Sequence, residues 1–425
     1  MATKVKLEMP KQIHMKLLAR LSRITTSGRE FIPQIDGLRF VAIIAVIAFH
    51  VWSIGTFHLG HAGDRSNIVG QCLVSGSCGV QLFFMISGFI LALPFAKQHL
   101  AGGKTVRLRD YFKRRLTRIE PPYIIQMVFV FAFAALVLRW SLMHQHIFGG
   151  ESWWRYTTPH MLASLVYAHD FIYKEYPYPN IVLWSLEIEV QFYIVAPLLA
   201  CLFVIRHHWG RRILIALLVL AWPWLISFLG LEPVAARVWL LKALPNFLTG
   251  FLLVEFYLTG WLGAAKKSFI WDLVCLLCGP ALIFGRLQIL PDALEPWTLL
   301  LLAVAVFRGR LASWLLSNPW TTTIGGMCYT IYMYHWLLIA VIIRATIHLQ
   351  TGTLWLDLLV QFLVLTPSII LVSAFLFAWF ERPFMRRDWP TRFKQFLLGH
   401  KTAPGVIRVA GKLKLEMPKL TSIGK

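Results

Sequence analysis

The 425-residue sequence predicts an all-α, polytopic membrane protein of about ten transmembrane helices, and three observations lead there. Hydrophobic residues make up 57% of the chain, aromatics 14% and charged residues only 15%, too apolar a balance for a soluble core inside a polar surface. The apolar residues fall in windows of the length needed to cross a hydrocarbon core about 30 Å thick. The net charge of +22 is unevenly placed: residues 1–30 contribute +5, residues 97–118 +7 and residues 382–425 +9. Charge gathered in two tails and one connection reads as positive-inside topology against anionic lipid, not as a nucleic-acid surface.

Ten windows follow in chain order: Leu38 to Ser53, Gly79 to Phe95, Pro122 to Leu138, Glu187 to Ile205, Ile213 to Leu229, Leu240 to Leu258, Phe269 to Leu287, Trp297 to Phe307, Ile324 to Ile343 and Leu354 to Phe380. Alternate connections separate by charge. Lys97 to Arg118, Arg206 with Arg211 and Arg212, Lys266 with Lys267, and Arg308 with Arg310 fall on one side. Asp64, Glu151, Asp170, Glu175, Glu232, Asp292 and Glu295 fall on the other. An even number of spans then places both termini in the cytoplasm. The first window is expected to serve as the insertion signal, since no cleavable leader precedes it.

The organisation expected is a basic cytoplasmic arm (residues 1–34), a membrane domain (35–383) and a basic cytoplasmic tail (384–425). Lys6-Leu-Glu-Met-Pro-Lys11 recurs as Lys414-Leu-Glu-Met-Pro-Lys419, too short an echo to be a folding repeat. The longest outer connection, Arg139 to Ser185, carries Trp140, Trp153, Trp154, Tyr156, Tyr167, Tyr173, Tyr176 and Tyr178. Such rings suit the headgroup level and also stack on sugars. A short helix is expected within it from Thr158 to Tyr167.

Chemistry is signalled by polar residues placed where lipid would not put them. His50 follows Arg39 by eleven residues in an otherwise apolar run, which sets it roughly 16 Å higher on one helix, near mid-membrane. An ionisable ring there lines a cavity or meets a partner; structural glue between helices is the plain alternative. Gly79-Val-Gln-Leu-Phe-Phe-Met-Ile-Ser-Gly88 offers Gln81, Ser87 and small residues for close helix approach, with packing the simpler reading. Arg115 and Arg118, three apart, share a helix face below the third span, suited to phosphate or to ordinary anchoring. Trp184-Ser-Leu-Glu-Ile-Glu-Val-Gln-Phe-Tyr193 brings two carboxylates into the fourth span, which demands partner cations, a raised pKa or a wet cleft. Glu187 and Glu189 point about 200° apart, so one cavity face takes one of them. Tyr329-Thr-Ile-Tyr-Met-Tyr-His335 puts a second histidine in the ninth span, and Phe380-Glu-Arg-Pro383 closes the tenth.

Taken together, these stretches resemble the acyltransferase-3 family of integral-membrane acyltransferases. The matches are the Arg39-to-His50 spacing, Gly79-Val-Gln-Leu-Phe-Phe with Ser87-Gly88-Phe89, Arg115-x-x-Arg118, Trp184-Ser-Leu-x-x-Glu189-x-x-Phe192-Tyr193, Tyr329 to His335 and Glu381-Arg-Pro383. They run in order from Ile35 to Pro383. The resemblance implies a ten-span bundle in the bacterial inner membrane. It would move an acyl group, commonly acetyl, from cytoplasmic acyl-CoA to a hydroxyl of an extracytoplasmic sugar such as O-antigen, exopolysaccharide or peptidoglycan. Some members acylate small molecules such as macrolides.

On that footing His50 and Glu189 are the expected catalytic residues. His50 acts as general base on the acceptor hydroxyl or as a transient acyl carrier, the former preferred, and Glu189 orients it or meets the acceptor. Arg39, Arg115 and Arg118 hold the donor phosphates, with Glu189 expected far from them, on the acceptor side. Trp184, Ser185, Tyr193 and His335 contact substrate. No metal is called for and no nucleic-acid partner is expected. A lipid-linked sugar flippase or a silent scaffold are the rival classes; coenzyme A release separates the enzyme from both.

Overall fold

The computed structural model describes residues 20–24, 31–141, 153–235, 238–263, 266–286, 288–386 and 388–391. Most of the two expected arms, including the repeated hexapeptide, lies outside the described residues. The long elements among the described residues are helices. In order these are α1 (Pro33–His58), α2 (Cys78–Leu100), α3 (Leu108–Ser141), α4 (Trp153–Leu165), α5 (Trp184–Leu199) and α6 (His208–Phe228). There follow α7 (Trp239–Leu258), α8 (Phe269–Arg286), α9 (Glu295–Arg308), α10 (Pro319–Gly326), α11 (Cys328–Thr346) and α12 (Leu354–Leu376). Eight segments, carried by α1, α2, α3, α5, α6, α7, α11 and α12, are long and apolar enough to cross a membrane. The protein is therefore a helical, polytopic membrane protein.

The seventh and eighth expected windows form shorter helices, α8 of 18 residues and α9 of 14. A carboxylate near the start of α8 explains part of this pairing. Asp272 accepts hydrogen bonds from the backbone N–H groups of Arg310, Leu311 and Ala312 at 3.1, 3.1 and 2.8 Å. It caps the turn Leu311–Leu316 that follows α9.

Helix α1 is the hub, packed against α2, α10, α11 and α12. It starts at Pro33, whose missing N–H costs nothing in a first turn. The window Ile324 to Ile343 divides into α10 and α11 about Met327. Gly325 lies so close to α1 that a Cβ there would sit 1.8 Å from the Asp36 carbonyl. A second close seam joins α2 to α7. A Cβ on Gly88 would fall 2.2 Å from the Phe247 carbonyl, and one on Gly250 2.2 Å from that of Met85. Small residues let the two backbones meet, the usual way helices gain packing energy in lipid. At one end, Glu255 of α7 receives Arg211 Nε and Nη2 at 3.0 and 2.9 Å and Arg212 Nε at 2.9 Å, tying α6 to α7.

Candidate active site

Two histidines far apart in sequence meet between α1 and α11. His335 Nε2 lies 3.2 Å from His50 Nδ1, with the rings edge to face at 4.8 Å between centroids. Each ring is also anchored by a carbonyl of its own helix. His50 Nδ1 is 3.0 Å from the Val46 oxygen, and His335 Nδ1 is 2.6 Å from that of Tyr332. A carbonyl oxygen only accepts, so Nδ1 carries the proton on both rings. His335 Nε2 is then a lone pair facing His50 Nδ1–H. His50 Nε2 is left as a lone pair with no partner among the described residues. His335 is fully buried, whereas His50 is half-buried.

Ser185 reaches the same group through Tyr332. Its hydroxyl lies 2.7 Å from the Tyr332 hydroxyl, and the Tyr332 ring stands 5.3 Å from His335. Trp184 belongs instead to an aromatic wall with Phe84, Tyr176 and Trp239, at centroid distances of 6.3, 6.2 and 5.6 Å.

Glu189 does not bond to His50. Its Oε1 accepts from Ser87 at 2.9 Å and from Tyr193, one turn on, at 2.8 Å. Its Oε2 has no partner among the described residues. The sequence places Glu189 far from the arginines; in the fold its charge acts on both Arg39 and Arg115. Tyr193 provides the link, since the Arg115 guanidinium lies 5.7 Å from its ring centre and 5.6 Å from that of Tyr111. Glu187 faces elsewhere, as the 200° separation requires. It accepts the His169 N–H at 3.0 Å, beneath the connection that carries α4.

The three expected arginines form one cationic group, joined by a fourth. Arg39 Nη1 donates to Asp36 Oδ1 at 2.7 Å, and Arg23 Nη2 approaches Asp36 Oδ2 at 3.0 Å. Arg23 feels both Arg39 and Arg118, and Arg115 feels Arg118. Burial first, and Arg39 next, push Arg23 down to about 10, with Asp36 opposing. Arg115 spends one donor weakly on the Ile90 carbonyl at 3.4 Å, and Arg118 is half-buried with no hydrogen-bond partner among the described residues. Glu381 acts on Arg118 and Arg39 at longer range, its Oε2 being occupied by the Thr330 N–H and hydroxyl at 3.2 and 2.5 Å.

Sequence reasoning overlooked Arg23, Asp36, Ser87 and Tyr332 as site residues. The three-residue spacing of Asp36 and Arg39 was a usable signal for an ion pair. Ser87 stood out only as a packing residue, and a basic residue in a basic arm carried no signal.

Comparison with known proteins supplies the family. The family described as Acyltransferase domain, acyltransferase-3, matches residues 32–378. O-acetyltransferase OatA of Staphylococcus aureus is 25% identical over 349 residues, covering 73% of this chain and 51% of that protein. Peptidoglycan O-acetyltransferase OatA of Listeria monocytogenes is 27% identical over 194 residues, covering 43% of this chain and 26% of that protein. The chain thus spans about half the length, or less, of these curated relatives. No solved structure matches. With the match running from the residue before α1 to beyond the end of α12, and including every residue of the histidine pair and the arginine group except Arg23, the chain belongs to the acyltransferase-3 family.

Proposed function

We propose that the protein is a membrane O-acetyltransferase. It moves an acetyl group from acetyl-CoA, held at the arginine end, to a hydroxyl of a cell-envelope glycan, with peptidoglycan the first acceptor to test because one relative bears that name. The observation that carries this reading is the unpartnered Nε2 of the half-buried His50, eleven residues along α1 from Arg39 and the cationic group around it, which is suited to phosphates.

In this mechanism Arg39, Arg115 and Arg118 grip the coenzyme's phosphates, and the pantetheine arm rises along α1 toward His50. The arginine end is then cytoplasmic, as the charge of the 97–118 connection favours, within a membrane domain of residues 35–383 in the inner membrane. His50 Nε2 takes the acceptor hydroxyl's proton as the oxygen attacks the thioester carbonyl. Positive charge on the ring is shared through Nδ1–H with the Val46 carbonyl and His335 Nε2. The tetrahedral adduct collapses to ester and thiolate, and the proton on Nε2 passes to the sulfur. Glu189 Oε2 orients the acceptor hydroxyl, while Trp184, Ser185 and Tyr193 line its approach.

The test is coenzyme A release by the purified protein in lipid nanodiscs supplied with acetyl-CoA and soluble peptidoglycan fragments. Free thiol should appear in step with acetylated fragment by mass spectrometry. Translocation of a lipid-linked sugar without thiol release would overturn the reading in favour of a transporter.

A further inference from the structure

The segment just before α1 is docked on the arginine end. Leu21 and Ile24 pack against the main core, and Arg382 Nε donates to the Ser22 carbonyl at 3.3 Å. The Arg23 side chain crosses Gly326, where a Cβ would meet its Cβ, Cγ and Cδ at 3.7 to 3.8 Å. These contacts aim the guanidinium into the group formed by Arg39 and Arg118.

The donors of Arg23 are nonetheless uncommitted. Its Nε is buried with no acceptor, and Asp36 Oδ2 has no hydrogen-bond donor although Arg23 Nη2 stands 3.0 Å away. The pair has the distance of an ion pair without the alignment of a hydrogen bond. A buried guanidinium N–H without an acceptor is costly, and a planar fork is the shape that receives a phosphate in two parallel bonds. Asp36 is the one carboxylate making ion pairs with these arginines among the described residues.

We infer that Arg23 is a fourth phosphate-binding residue of the donor site, held ready by Asp36, so that a segment outside the family's matched region completes nucleotide recognition. This rests on the acetyl-CoA reading above. Asp36 keeps two guanidinium groups side by side while the site is empty. A donor phosphate then supplies the aligned acceptors that Asp36 does not.

The experiment measures acetyl-CoA affinity and KM for the full chain in nanodiscs of zwitterionic lipid. Arg23→Ala should raise Kd about tenfold or more, the scale of a lost charged hydrogen bond. Its KM for acetylpantetheine, which carries the thioester without nucleotide phosphates, should stay at the wild-type value; a purely structural role would weaken both donors and overturn the inference. Should the alanine variant fail to fold, Arg23→Lys is read instead. It keeps the charge and loses the fork, and an unchanged Kd would overturn the inference. Anionic lipid headgroups offer the same phosphate chemistry, so the comparison is repeated with phosphatidylglycerol. An effect confined to those discs assigns Arg23 to lipid and overturns the donor role. Arg115→Ala is the reference: if it weakens binding and Arg23→Ala does not, this inference alone fails. No acetyl-CoA binding by the wild type would sink the enzymatic reading itself.

Discussion

Among the described residues two histidine pairs meet at hydrogen-bond distance, and only one of them includes a ring that is not fully buried. His50 and His335 meet at 3.2 Å, His160 and His169 at 2.8 Å. In the second pair His160 is stacked between Tyr156 and Tyr173, at centroid distances of 4.4 and 3.9 Å. Both of its rings are buried, and the His169 backbone N–H is spent on Glu187. It fastens α4 and the turn His169–Tyr173 over the end of α5. In the first pair two carbonyls fix both tautomers and leave one lone pair open. What separates the pairs here is access: His169 Nδ1 also lacks a hydrogen-bond partner but belongs to a fully buried ring, whereas the open nitrogen of His50 belongs to a half-buried one.

The largest effect should come from removing that nitrogen. His50→Ala is expected to insert normally and lose acetyl transfer by ~100-fold or more, the usual scale for a lost general base, while His169→Ala keeps most of its turnover. Coenzyme A release at equal amounts of folded protein checks this; similar losses in both variants would erase the distinction. Smaller, and a sharper test of the tautomer argument, is His335→Ala. Loss of one neutral hydrogen bond to the base should cost up to about tenfold in turnover with donor affinity unchanged. A drop in acetyl-CoA binding instead would place His335 in the donor path.

The smallest effect concerns the staple and acid. Burial first, with His160 beside it, pushes His169 down to about 4 from its ordinary 6.5, and burial lowers His160 as well, with Glu175 opposing. The unfolded chain takes up these protons sooner than the folded one. Stability from the neutral pair is therefore fully present above pH 6.5 and is lost as pH falls toward about 4. His169→Asn should flatten the fall in thermal midpoint across that window by up to about one proton's worth of slope. An unchanged slope would show that other groups carry the acid response.

Much of this was legible in the sequence because lipid makes polar residues conspicuous. His50, His335, Glu189 and the arginine face stand out in apolar runs, and the spans follow from window length. Pairing was not legible: nothing in α1 or α11 alone says that residues 285 apart share a proton contact. The link from Glu189 to the arginines was not legible because it runs through Tyr193, a side chain one turn away. The division at Met327 was hidden because Gly325 and Gly326 are ordinary in a membrane helix, until the Asp36 backbone comes against the first of them. Arg23 was invisible for the opposite reason, being one cation among many in a basic stretch.

The glycine seam between α2 and α7 acts as a gauge block. Ser87, which holds Glu189, immediately precedes Gly88, whose backbone rests on the Phe247 carbonyl with no room for a methyl group. The height of a hydroxyl in the polar interior is thereby set by a contact on another face of the same helix, between two backbones that cannot slide or swell. A side chain added at that contact would leave every polar residue in place in the sequence and still move Ser87 off the carboxylate it serves.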